Sequence, residues 1–167
     1  MTGRATPPIL RTVTDHHGFP EAEWDLITEI PLDIYLAILS VEIAVASLKS
    51  EALALDEWLK RAAVACTDTP WMKAAVEAAD RPSAAQTRGM TALTEAQLLP
   101  KLTELGHALA RHVPDNEALA FKRLLLSLAD HVAGASEGAF PGSPHVSKTE
   151  GDLIWKVRQA LGICTPQ

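Results

Sequence analysis

Three observations predict an all-α fold for this chain. Apolar residues recur at helical spacing through the long segments, Gly and Pro collect between those segments, and strand-favouring aromatics are scarce, with one Tyr and three Phe in 167 residues. The length suits one core, and 47% hydrophobic with 22% charged residues is an ordinary globular balance. The expectation is a compact single-domain helical bundle of about seven helices over residues 20–167, behind a flexible N-terminal arm at 1–19.

The arm holds Pro7, Pro8, Asp15, His16, His17 and Gly18 with little apolar periodicity, so its removal is expected to shift the thermal midpoint only slightly. His16 and His17 read either as solvated side chains or as metal ligands. A short helix is expected from Glu21 to Glu29, with Pro31 ending it and opening the next. From Leu32 to Leu48 nearly every position is apolar, the mark of a helix buried at the centre of a bundle. Asp33 and Glu42 within that run, and its length at the lower limit of a membrane span, argue against membrane insertion.

An amphipathic helix follows over Ser50 to Cys66, with Leu53, Leu55, Trp58, Leu59 and Ala62 inward and Glu51, Glu57, Lys60 and Arg61 outward. Pro70 starts a short helix through Ala79, and residues 81–93 read as a linker. Thr94 and Gln97 have capping-box spacing for a helix running to Pro114. Asp115 caps a long helix carrying Leu119, Phe121, Leu124, Leu125, Leu128 and Val132 on its apolar side, which dissolves at Gly134 to Gly138. After a Gly- and Pro-containing loop, Ser147 and Glu150 form a second capping box, and the last helix ends at Gly162.

The net charge of −6 and the scattered basic residues leave no continuous phosphate-binding stripe, so nucleic acid is not an expected partner. No apolar stretch precedes Trp24, which predicts a cytoplasmic protein without a secretory leader. Cys66 and Cys164 form no CxxC motif and read as free, partly buried thiols.

Two segments recur along the chain. Ile43-Ala44-Val45-Ala46-Ser47 parallels Val132-Ala133-Gly134-Ala135-Ser136 at an offset of 89, and Trp58-Leu59-Lys60-Arg61 parallels Trp155-Lys156-Val157-Arg158 at an offset of 97. Either a helical hairpin has been duplicated, giving half-repeats 31–66 and 118–164 about a pseudo-two-fold axis, or Ala-rich helices coincide by composition. Duplication predicts that Trp58 and Trp155 occupy equivalent, mostly buried positions. It also makes Glu42 and His131 equivalent, and a carboxylate within an apolar helix needs a donor. A Glu42–His131 hydrogen bond is the expected answer, structural or bordering a cavity.

The run Leu124 to Ser136, a glycine-containing loop, Val146-Ser147-Lys148-Thr149-Glu150 and Ala160-Leu161-Gly162-Ile163 together resemble the tellurite-resistance protein B-like helical family, most strongly over residues 119–163. The resemblance implies a stress-related helical module. That family's loop carries an Asp-Gly pair implicated in divalent-metal binding, whereas Gly134-Ala135-Ser136-Glu137-Gly138 offers one carboxylate, too few oxygens for a hard cation.

Two functional readings follow. A non-enzymatic interaction or scaffold domain with a protein partner and no cofactor fits the missing nucleophile–base, phosphate-loop and HExxH motifs. The alternative is a metal-binding bundle or metal-dependent enzyme that holds a divalent ion through Glu104 and His107, whose i, i+3 spacing places both on one helix face.

Overall fold

The computed structural model describes residues 16–41, 48–79, 93–135 and 147–163. Six α-helices lie within them: α1 Glu21–Val41, α2 Leu48–Ala65, α3 Pro70–Ala79, α4 Glu95–His112, α5 Asp115–Ala135 and α6 Lys148–Ala160. The described residues contain no strand, only an isolated bridge between His16 and Phe19. The linker at 81–92 and the loop at 137–146 lie outside the described residues.

Helix α1 is the hub, packing against all five others. Ile27, Ile30, Ile34 and Ile38, spaced by three or four residues, are at most 2% exposed and form one continuous ridge of the core. This ridge explains the main departure from the sequence reading. Pro31 does not separate two helices; it lies inside one 21-residue helix and is itself buried. An interior proline costs about 3 kcal/mol by removing a hydrogen bond and crowding the carbonyl four residues back. Burying isoleucines on both sides of it outweighs that cost at about 1.5–3 kcal/mol for each side chain. The expected central apolar helix is thus the second half of α1 as far as Val41, and residues 42–47 are outside the described set.

The other helices close around α1. Leu98, Leu102, Leu105 and Leu109 of α4 and Leu125, Leu128, Ala129 and Val132 of α5 are fully enclosed. Helix α2 lies across α5 and α3, and α6 rests on α4 and α5.

The local signals at Thr94, Ser147 and Gly162 hold, whereas Asp115, expected as the cap of α5, is its first helical residue. Gln97 Oε1 accepts from the Thr94 backbone N–H at 3.0 Å. Ser147 Oγ accepts from the Glu150 N–H at 3.2 Å while Glu150 returns to the Ser147 N–H at 2.9 Å. Beyond α6, Gly162 takes φ +68°, its N–H reaches the Gln159 carbonyl, and the Ile163 N–H reaches that of Arg158. This is a Schellman motif, which needs a left-handed residue where glycine stands.

Two further expectations change. The arm does not extend through residue 19: Phe19 is 1% exposed and its ring packs 5.5 Å from Trp71 and 5.2 Å from His112. His16 and Phe19 exchange both backbone hydrogen bonds across His17 (φ +57°) and Gly18 (φ +92°), the left-handed pair of a type I′ turn. That turn aims Phe19 into the core. Trp58 and Trp155 are not equivalent either, since Trp58 is 5% exposed and Trp155 is 61% exposed. Leu53, expected inward, and Leu119 also face solvent.

Candidate functional site

Several polar side chains brace one helix against another. Asp33 of α1 meets Lys101 of α4 at 2.7 Å, with Glu29 3.4 Å from the same ammonium. Burial pushes the Asp33 carboxyl above its ordinary range; the Lys101 hydrogen bond and charge oppose this, and Glu29 adds repulsion. Burial alone would lower Lys101, but the hydrogen bonds and charges of Asp33 and Glu29 outweigh it and raise the ammonium.

Glu23 takes Arg111 on Oε1 at 2.6 Å and has His112 Nε2 2.8 Å from Oε2, the latter a close approach without hydrogen-bond alignment. The Trp71 indole N–H donates to Glu117 Oε2 at 2.6 Å, joining α3 to α5. Cys66 is buried, which pushes its thiol up, away from the thiolate that a nucleophile requires.

The residues nominated from sequence do not converge. Glu104 and His107 are both exposed on α4. Among the described residues no group of three or more His, Cys, Asp or Glu side chains is placed to hold a metal. His16 and His17 sit against Trp24, with ring centroids 5.7 and 5.6 Å away. Glu42 lies outside the described residues, so the expected Glu42–His131 pair does too.

His131 instead meets a partner the sequence did not point to. Arg61 Nη2 lies 2.9 Å from His131 Nε2. A guanidinium can only donate, so in this contact the ring nitrogen Nε2 is the acceptor. The contact belongs to a groove of about 320 Å³ between α2 and α5, lined by Trp58, Arg61, Ala62, Ala65, Leu124, Ser127 and His131. Its architecture follows from helical periodicity. Trp58, Arg61, Ala62 and Ala65 stand at i, i+3, i+4 and i+7 on α2, and Leu124, Ser127 and His131 at i, i+3 and i+7 on α5, so each set forms one face. The Trp58 indole donates to Ser127 Oγ at 3.0 Å, and Ser127 donates to the Leu124 carbonyl at 2.6 Å. The indole's polar edge is thereby satisfied and its ring is left as apolar wall.

Arg61 is at the mouth, its side chain 65% exposed and its Nη2 3.8 Å from Glu57 Oε2. The groove is open rather than enclosed. It can receive a side chain from outside, with one permanent positive charge above an apolar floor. The signal that could have located it was the pair Ser127 and His131, two polar groups one turn apart on the same helix face as Leu124.

The chain matches no protein-family model, no curated protein and no solved structure. Among the described residues, no helix is long and apolar enough to cross a membrane.

Proposed function

We propose that this chain is a non-enzymatic helical interaction module of the tellurite-resistance B-like kind, working in the cytoplasm by seating a protein partner. The observation that carries the reading is the open α2–α5 groove, where apolar wall, small side chains and a single guanidinium meet at the surface. A pocket that processes a small molecule typically encloses most of its ligand, whereas an open concavity suits side chains of a partner that covers it from outside. The resemblance lends a second support: the Ser147–Glu150 cap and the Leu161-Gly162 helix end are features the chain shares with that family.

The competing metal-binding reading rests on Glu104 and His107, two exposed ligands on one turn of α4. The two are separated by loading the protein with Mn²⁺, Zn²⁺ or Mg²⁺, desalting after chelation and measuring metal content, together with cross-linking in the producing cells. A recurrent cross-linked partner attached through Lys60, beside the groove, and metal well below one equivalent are expected. One retained equivalent that is lost in Glu104→Gln and His107→Gln overturns the proposal.

A further inference from the structure

The groove's chemistry goes further than the reading it rests on, that of an interaction module, because it defines the partner's anchor. We propose that the α2–α5 groove seats an acidic–apolar anchor of a partner protein, with a carboxylate on Arg61 and the neighbouring apolar side chain on Trp58, Ala62, Ala65 and Leu124.

Charge complementarity sets the first half. Arg61 is the one permanent charge among the lining residues, and the carboxylate nearest to it, Glu57, stands outside the lining at 3.8 Å. A guanidinium presents a planar fork suited to a carboxylate. The protein itself shows the preference, since Glu57 of the preceding turn leans toward the same Nη2 but reaches only 3.8 Å, beyond a direct hydrogen bond. The Arg61 Nε–H donates to the Glu57 backbone carbonyl at 3.4 Å, so an incoming carboxylate would meet the guanidinium's other N–H groups.

The floor sets the second half. Ala62 and Ala65 leave space where longer side chains would fill it, Leu124 adds apolar lining, and the Trp58 indole N–H is already bonded to Ser127. The space, about 320 Å³ and open on one side, has room for an aliphatic or aromatic side chain beside a carboxylate and leaves its occupant uncovered on that side. The two groups must therefore stand close together on the partner, as at i, i+3 or i, i+4 of a helix.

Selecting a random peptide library on the intact protein, then titrating the enriched peptides into ¹⁵N-labelled protein, tests this. Enriched sequences are expected to carry Asp or Glu next to a large apolar residue, and to shift the Trp58 indole and His131 imidazole signals. Arg61→Gln, at an exposed position that leaves the fold intact by thermal melting, should weaken them about tenfold or more. Glu57→Gln, which removes the internal competitor, should strengthen them, and Lys60→Gln should change affinity less than Arg61→Gln. Enriched peptides without an acidic residue, binding unchanged by Arg61→Gln, or acetate and benzoate saturating the same signals as tightly as the peptides each overturn the assignment. Peptides that bind a different face overturn it while leaving the interaction module standing, and a selection that enriches nothing removes both.

Discussion

Replacing Phe19 with alanine tests whether the His16–Phe19 turn is part of the fold. The ring is 1% exposed and sits 6.1 Å from Trp24, 5.5 Å from Trp71 and 5.2 Å from His112. A buried Phe→Ala change removes the transfer free energy of the ring and leaves a cavity, for about 3–5 kcal/mol together. Phe19 stands at the margin of the core, where neighbours can close part of the gap, so the lower end, about 3 kcal/mol, is expected. At about 2–4 °C per kcal/mol for a chain of this size, the thermal midpoint falls by about 6–12 °C. Calorimetry gives the midpoint directly, and urea unfolding followed by tryptophan fluorescence gives the free energy. A loss below about 1 kcal/mol would mean that the ring is not docked in solution and that the domain begins after it.

Three further outcomes are expected. Gly18→Ala should cost about 1–2 kcal/mol in urea unfolding purely through its φ of +92°, since nothing lies within 4 Å of the added Cβ, whereas Gly151→Ala, equally unobstructed but inside α6, should stabilise by about 0.5–1 kcal/mol. Lys101→Met should destabilise by about 1–3 kcal/mol, less than for a fully buried pair because Lys101 is a third exposed, and should move the Asp33 titration further up by NMR. Because the folded Lys101 is raised, its stabilisation is full below its unfolded value near 10.5 and disappears as pH climbs through the folded value, while raised Asp33 costs stability as pH rises from 3.8 through its own; a wild-type stability curve lacking the alkaline loss would contradict this. Trp58→Ala should cost about 3–5 kcal/mol and Trp155→Ala less than about 0.5 kcal/mol by thermal melts, and equal losses would refute the burial difference.

What the sequence made legible is what local chemistry decides. The Ser147–Glu150 cap and the Gly162 terminus depend on groups within a few residues, and both appear as read. Amphipathic spacing likewise placed Trp58, Leu59 and Ala62 inward on α2. Pro31 was misread because its local preference is to break a helix, and only the packing of Ile27, Ile30, Ile34 and Ile38 against distant segments overrules it. Phe19 gave no periodic signal, since a turn of four residues, rather than a helix face, carries it into the core. The Arg61–His131 contact joins residues 70 apart, and nothing within either helix says which side chain will stand opposite.

The burial pattern also bears on the duplication. In α2 the buried positions around the match are Trp58, Leu59 and Ala62, followed by Cys66 just beyond the helix; in and after α6 they are Leu153, Ile154, Val157 and Leu161. These sets share the spacing 1, 3, 4 and align at an offset of 95, pairing Trp58 with Leu153 and Cys66 with Leu161. The tryptophan match requires an offset of 97, two residues out of register. Two residues turn an α-helix by about 200°, which carries a side chain from the core face to the opposite one. That shift is why Trp155 faces solvent while Trp58 does not. The Trp58–Trp155 identity therefore joins positions with opposite environments and is no evidence of a copied hairpin. What α2 and α6 share is the spacing any amphipathic helix needs to bury one stripe.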